Sequence, residues 1–120
     1  MRTLIIRIEG EVEPGDLVIL SAADRYRGGQ TNARAHARPA RDRIEVVNGH
    51  KTIVEDSPRL VEIVDMIVHE ISSHWGAGFA AKKRNDNELV LQCETNSQDV
   101  NVFSSISGSM KQKVTIEDLA

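Results

Sequence analysis

Ile44-Glu45-Val46-Val47-Asn48-Gly49-His50-Lys51-Thr52-Ile53-Val54 is the stretch from which the fold can be built. Two β-rich runs flank a two-residue break. A type I′ turn needs positive φ at both central positions, and Asn followed by Gly tolerates that best. The stretch therefore predicts an antiparallel hairpin with Asn48-Gly49 at its tip.

On the C-terminal side, Glu55-Asp56-Ser57-Pro58 reads as a helix start. Asp56 or Ser57 can cap free backbone N–H groups, and Pro58 suits a first turn that has no use for its missing N–H. Leu60, Val64, Ile67, Ile71 and Trp75 follow at helical spacing, and Val61, Ile63 and Val68 widen the stripe. Glu62, Asp65, His69 and Ser72 share the other face, so one side is expected buried and the other wet. Gly76 and Gly78 end the helix. Beyond it, Phe79 to Lys83, the turn Asn85-Asp86-Asn87 and Leu89 to Cys93 predict a second hairpin. Val100, Val102 and Ser104 alternate with Asn101, Phe103 and Ser105 in a further strand, and Val114 and Ile116 mark a short last one.

On the N-terminal side, Leu4, Ile6 and Ile8 alternate with Ile5, Arg7 and Glu9, which predicts a strand over 2–9. Pro14-Gly15-Asp16 is a turn signal, and Leu17-Val18-Ile19-Leu20 reads as a strand buried on both faces. Between Ala22 and Asp42 the periodicity fades. The 22–43 stretch is expected to be a long basic arm or loop, or else an extended hairpin with Gly28-Gly29 at its tip. The sum is about eight strands and one helix. The expected fold is mainly β (α+β): an antiparallel β-sandwich or barrel with one amphipathic helix packed on a flank. Residues 1–120 are expected to form a single domain. Leu60, Val64, Ile67, Ile71, Trp75, Phe79, Leu89 and Leu91 are its expected core.

Composition limits the function classes. Of 120 residues, 40% are hydrophobic and 28% charged, which is globular rather than disordered. No apolar run approaches the roughly 20 residues that cross a bilayer, and charge interrupts the first residues too soon for a signal-peptide core. A cytosolic product without membrane contact is the expectation. Cys93 is the one cysteine, and its place in an alternating apolar run suits a small core residue. The net charge of −3 is unevenly placed. Residues 24–43 hold Arg25, Arg27, Arg34, Arg38, Arg41 and Arg43 against Asp24 and Asp42, while the remainder carries an acidic excess. A basic segment on an acidic body attracts an acidic neighbour, another copy included.

Catalytic patterns are weak. His69-Glu70-Ile71-Ser72-Ser73-His74 resembles the helical His-Glu-x-x-His of zinc proteases, but a spacing of five turns the two imidazoles about 140° apart. A rarer metallopeptidase family uses that spacing with a third ligand on a much larger chain. Ser104, Ser105, Ser107 and Ser109 near Gly108 form no nucleophile elbow, and Gly28-Gly29 lacks the lysine and helix of a phosphate loop. No enzyme, metal site or cofactor is expected. The arginines can neutralise phosphates, with Tyr26 the one aromatic beside them. A small nucleic-acid-binding protein is therefore the first alternative, and a metal-dependent hydrolase built on His69, Glu70 and His74 a remote second.

The layout resembles a module of bacteriophage tail proteins: a strand, a Gly-Asp turn, an apolar strand, a hairpin, a helix opening on Asp-Ser, then paired short strands. The matching text is Glu13-Pro14-Gly15-Asp16-Leu17-Val18, Asp56-Ser57-Pro58 with Val61 to Ile71, Gly78-Phe79-Ala80-Ala81, Asn85 to Leu91 and Asn96 to Phe103. Such modules occur in tail-tube, tail-sheath, baseplate and fibre proteins. The resemblance implies a virion structural protein made in the host cytoplasm, in particular a tube-like tail subunit that self-assembles into rings, hexameric in the tube family. A head decoration or head–tail connector protein is the alternative within that class. The implied partners are copies of itself, other virion structural proteins, and DNA contacted without sequence specificity. Arg25, Tyr26, Arg27, Arg34, Arg38, Arg41 and Arg43 are the expected intersubunit or DNA-facing contacts.

Overall fold

The computed structural model describes residues 1–24, 29–94 and 100–119. The strands, in order, are β1 (Arg2–Glu9), β2 (Leu17–Asp24), β3 (Gly29–His36), β4 (Arg41–Val47), β5 (His50–Asp56), β6 (Phe79–Asn85), β7 (Glu88–Cys93), β8 (Val100–Ser107) and β9 (Lys113–Leu119), with the helix α1 (Leu60–His74) between β5 and β6. One sheet runs β6-β7-β1-β9 and a second β3-β2-β8; among the described residues β4 and β5 pair only with each other. Every pairing is antiparallel. The fold is thus mainly β, with one helix packed on a flank.

The helix closes the sandwich where both sheets end, packing against β6 on one side and β3 on the other. Ile63, Val64, Ile67 and Ile71 enter the core from the helix. Leu4, Ile6, Ile8, Leu89, Leu91 and Cys93 meet them from one sheet, and Val18, Leu20, Ala22, Ala33 and Ala35 from the other. Trp75 seals the helix end, its ring edge-on to Phe79 at 5.3 Å. Leu60 and Phe79 are only partly buried and sit at the margin of this core. Cys93 is buried, and burial pushes its thiol above the usual range, as suits a small packing residue.

Three sequence expectations change. The 22–43 stretch is not a free arm: β2 and β3 form the extended hairpin that was the second option, paired from Leu17↔His36 to Asp24↔Gly29. Gly29 therefore opens β3 rather than lying at a tip, and 25–28 lie outside the described residues. The strand was hidden because its inward residues are Ala33 and Ala35, followed just past its end by the buried Ala37, and alanine carries little hydrophobic signal. Small side chains there let the helix approach the sheet closely. Among the described residues the strands accordingly number nine, one more than the approximate total of eight. The third change is at the helix start: β5 continues to Asp56, opposite Arg41, so the N-cap is Arg59, without a side-chain cap bond. Neither Asp56 nor Ser57 caps it. Glu62 instead supplies the negative charge that complements the first turn.

The corner joining β2 to β8 and β9 is fastened by one carboxylate. Asp16 is 1% exposed. It accepts hydrogen bonds from the backbone N–H groups of Ser109 (2.7 Å) and Glu13 (2.8 Å), from the Ser109 hydroxyl (2.8 Å) and from the Gln112 amide (2.9 Å). Burial alone would raise its pKa, but these donors outweigh burial, that of Ser109 first, and hold it at about 2. Gly108 turns past this carboxylate at φ +101°, and a Cβ there would lie 2.9 Å from the Asp16 Cα and closer still to its Oδ1. Only glycine permits that approach.

Candidate functional site

The element that stands apart is the β4–β5 hairpin. Among the described residues no other strand or helix packs against it, and the molecule measures 60 × 24 × 22 Å. Seven residue pairs, from Arg41↔Asp56 to Val47↔His50, make the ribbon, whose length at about 3.3 Å per residue is roughly 23 Å. Asn48 and Gly49 turn its tip at φ +52° and +78°, the positive pair that the sequence required.

Alternation along the ribbon separates two faces. One carries Arg41, Arg43, Glu45 and Val47 with Asp56, Val54, Thr52 and His50, and an Arg43–Glu45 ion pair of 2.7 Å lies on it. The other carries three rows: Asp42 beside Glu55, Ile44 beside Ile53, and Val46 beside Lys51. Ile44, Val46 and Ile53 are 68%, 63% and 73% exposed. Three neighbouring aliphatic side chains on one open ribbon are unlike the single exposed apolar residues scattered over ordinary surfaces. Next to them, Asp42 and Glu55 set two carboxylates directly across from each other, an arrangement that costs stability in an isolated sheet.

The hairpin base is fixed to the body by Arg38. Its guanidinium bonds both oxygens of Glu62 on the first helical turn, at 3.3 and 3.2 Å, and reaches Asp56 at 3.2 Å. The Arg38 guanidinium holds the Glu62 carboxyl below its usual range, and Glu62 in turn raises the arginine's pKa. A planar fork of this kind fixes direction better than a lysine would.

The arginines expected as contact residues do not form one patch. Arg25, Tyr26 and Arg27 lie outside the described residues. Arg34 is exposed on the outward side of β3, Arg38 is engaged at the hairpin base, and Arg41 and Arg43 stand on the hairpin itself. Two of these four are held by carboxylates of their own chain, which leaves Arg34 and Arg41 without an ion pair among the described residues. His74 pairs with Glu70 at 3.3 Å along the helix, while His69 is exposed. Among the described residues no three His, Cys, Asp or Glu side chains come together as a metal-binding group. No helix among them is long and apolar enough to cross a membrane.

Sequence reasoning placed the hairpin but did not show that its apolar face stands open. Alternation says which residues share a side, and it reads the same whether that side is covered or open. No protein-family model, curated protein or solved structure matches this chain.

Proposed function

We propose that the chain is a self-assembling structural subunit of the kind that builds bacteriophage tails, with the β4–β5 hairpin as its principal contact. One observation carries this: a ribbon held at its base by Arg38 presents three exposed aliphatic side chains on one of its faces. Such a patch costs solubility unless something covers it. The layered β-sandwich with one flanking helix supports the tail-type reading, since it is the layout the sequence resemblance implies. A projecting element that fits a different surface of the next copy makes head-to-tail contacts, which close into rings when the rotation allows. Tube, connector and decoration roles share this mechanism. The arginines support nucleic-acid binding less well, because Arg38 and Arg43 are already engaged within the chain.

Light scattering and negative-stain electron microscopy of the full chain test the proposal. Rings, tubes or discrete oligomers are expected, and they should disperse to monomers in the variant Ile44→Asp/Ile53→Asp while its circular dichroism stays unchanged. A chain that remains monomeric at the highest reachable concentration, or oligomers indifferent to the two substitutions, would overturn it.

A further inference from the structure

The hairpin's three rows have a counterpart elsewhere on the same chain. The outer face of β6 and β7 holds a depression of about 350 Å³ lined by Ala80, Ala81, Lys82, Val90 and Gln92. A second, of about 140 Å³, continues it past Ala80 and Gln92 to Gly78 and Glu94. For scale, an apolar cavity of about 150 Å³ holds benzene, so this trough has room for several aliphatic side chains.

Its floor exists because of residue size. Lys82 pairs with Val90 and Ala80 with Gln92, and the Glu94 N–H donates to the Gly78 carbonyl one row further on. Alanine and glycine at 80 and 78 leave the middle and far end open. The charged groups sit at opposite ends, and both are unengaged: neither Lys82 nor Glu94 makes an ion pair among the described residues.

We infer that the hairpin of one copy docks across the β6–β7 trough of a second copy, with Asp42 and Glu55 against Lys82, Ile44 and Ile53 over Ala80, and Lys51 toward Glu94. The registers match. From the Asp42/Glu55 row to the Val46/Lys51 row is four residues along the ribbon, and from the Lys82/Val90 row to the Gly78/Glu94 row is four along the sheet. Each interval is about 13 Å at strand spacing. The hairpin reads Asp42 with Glu55, Ile44 with Ile53, Val46 with Lys51; the trough reads Lys82 with Val90, Ala80 with Gln92, Gly78 with Glu94. The opposed carboxylates of Asp42 and Glu55, unfavourable in the free ribbon, gain the cation they lack. Because both halves lie on one chain, a second copy satisfies them without any other partner. The contact is heterologous, as the proposed assembly requires.

The test rests on self-assembly but separates the two ideas. In a Cys93→Ala background, a chain carrying Ile53→Cys is mixed with one carrying Ala80→Cys under mild oxidation. A disulfide joining the two different chains is expected; one that joins two Ile53→Cys chains instead would mean that hairpins pair with hairpins, and the docking inference falls while self-assembly stands. Sedimentation equilibrium supplies a second reading. Lys82→Glu should weaken association roughly tenfold, and adding Asp42→Lys/Glu55→Lys to it should restore the original strength. Association indifferent to Lys82→Glu, or no rescue by the reversed pair, refutes the docking geometry; absence of any association refutes both proposals.

Discussion

The Asp16 corner and the β4–β5 hairpin solve opposite problems. At the corner, four donors from three separate residues converge on one carboxylate that solvent barely reaches. On the hairpin, aliphatic side chains of the core type stand in water, and two carboxylates face each other with no ion pair to a cation among the described residues. The Asp16 carboxylate is satisfied within one chain, although the neighbouring Gln112 Oε1 is buried without a hydrogen-bond partner among the described residues. The hairpin is geometrically finished, with a well-formed turn and a clamped base, and energetically unfinished. Regular secondary structure and satisfied surface are therefore separate achievements: backbone pairing formed the ribbon, and nothing among the described residues covers its face.

The sharpest way to break this contrast is to make the same change in both regions. Ile67→Ala, in the core, should lower unfolding stability by about 3 kcal/mol in urea denaturation, because a buried side chain leaves a cavity that the sheets cannot fill. If it were tolerated, the body would not be a rigid partner for the hairpin.

Asp16→Asn comes next, with an expected loss of about 2 kcal/mol. The amide presents one acceptor where the carboxylate presents two, and its NH₂ faces donors. Acid should do the same to the native protein. The Asp16 pKa is about 2 when folded against 3.8 as the ordinary value. A depressed carboxyl stabilises fully above its unfolded pKa, so the contribution is intact above about pH 4 and fades as pH falls toward 2. Asp16 lies close beneath the surface, so allowing for nearby solvent the loss is about 1–2 kcal/mol. The Asp16→Asn variant should show a flatter acid limb in the same titration.

Smallest of all, Ile53→Ala should change the stability of the monomeric body by less than about 0.5 kcal/mol, measured at a concentration where association is absent. A loss comparable to that of Ile67→Ala would mean the hairpin folds back on its own body, and the contrast would be lost.

Much of this organisation could be read from the sequence. The Asn48-Gly49 turn, the amphipathic helix and the β6–β7 hairpin all depend on neighbours within a few residues, where turn chemistry and periodicity speak directly. β3 escaped because alanine at 33 and 35 marks a close approach, and a close approach is a property of the facing helix rather than of the strand. The helix start was misplaced because the hairpin's last pair, Arg41 and Asp56, claims the residue that local rules offer as a cap. Asp16 reads as a turn residue only, since two of its partners, Ser109 and Gln112, lie more than ninety positions away. For the candidate site, the two β-rich runs placed Ile44, Val46, Lys51 and Ile53 on the hairpin, while Asp42 read as part of the basic stretch and Glu55 as part of the helix start, although the two pair across the ribbon. Alternation had no means of telling an open face from a covered one, nor of placing Lys82 and Glu94 in one trough.

The pairing of β1 with β9, Thr3 opposite Leu119, has a bearing on biosynthesis. On the ribosome β1 waits for β9 before its sheet is complete, whereas β4 and β5 meet across two residues. A hairpin closes in about 1–10 μs, and the roughly sixty residues from β5 to the end of β9 need several seconds at about 5–20 residues per second. During translation the ribbon, with its exposed aliphatic face, is therefore made long before the body is complete. Nascent chains on one polysome, held close together, meet the hazard of premature entanglement at that stage.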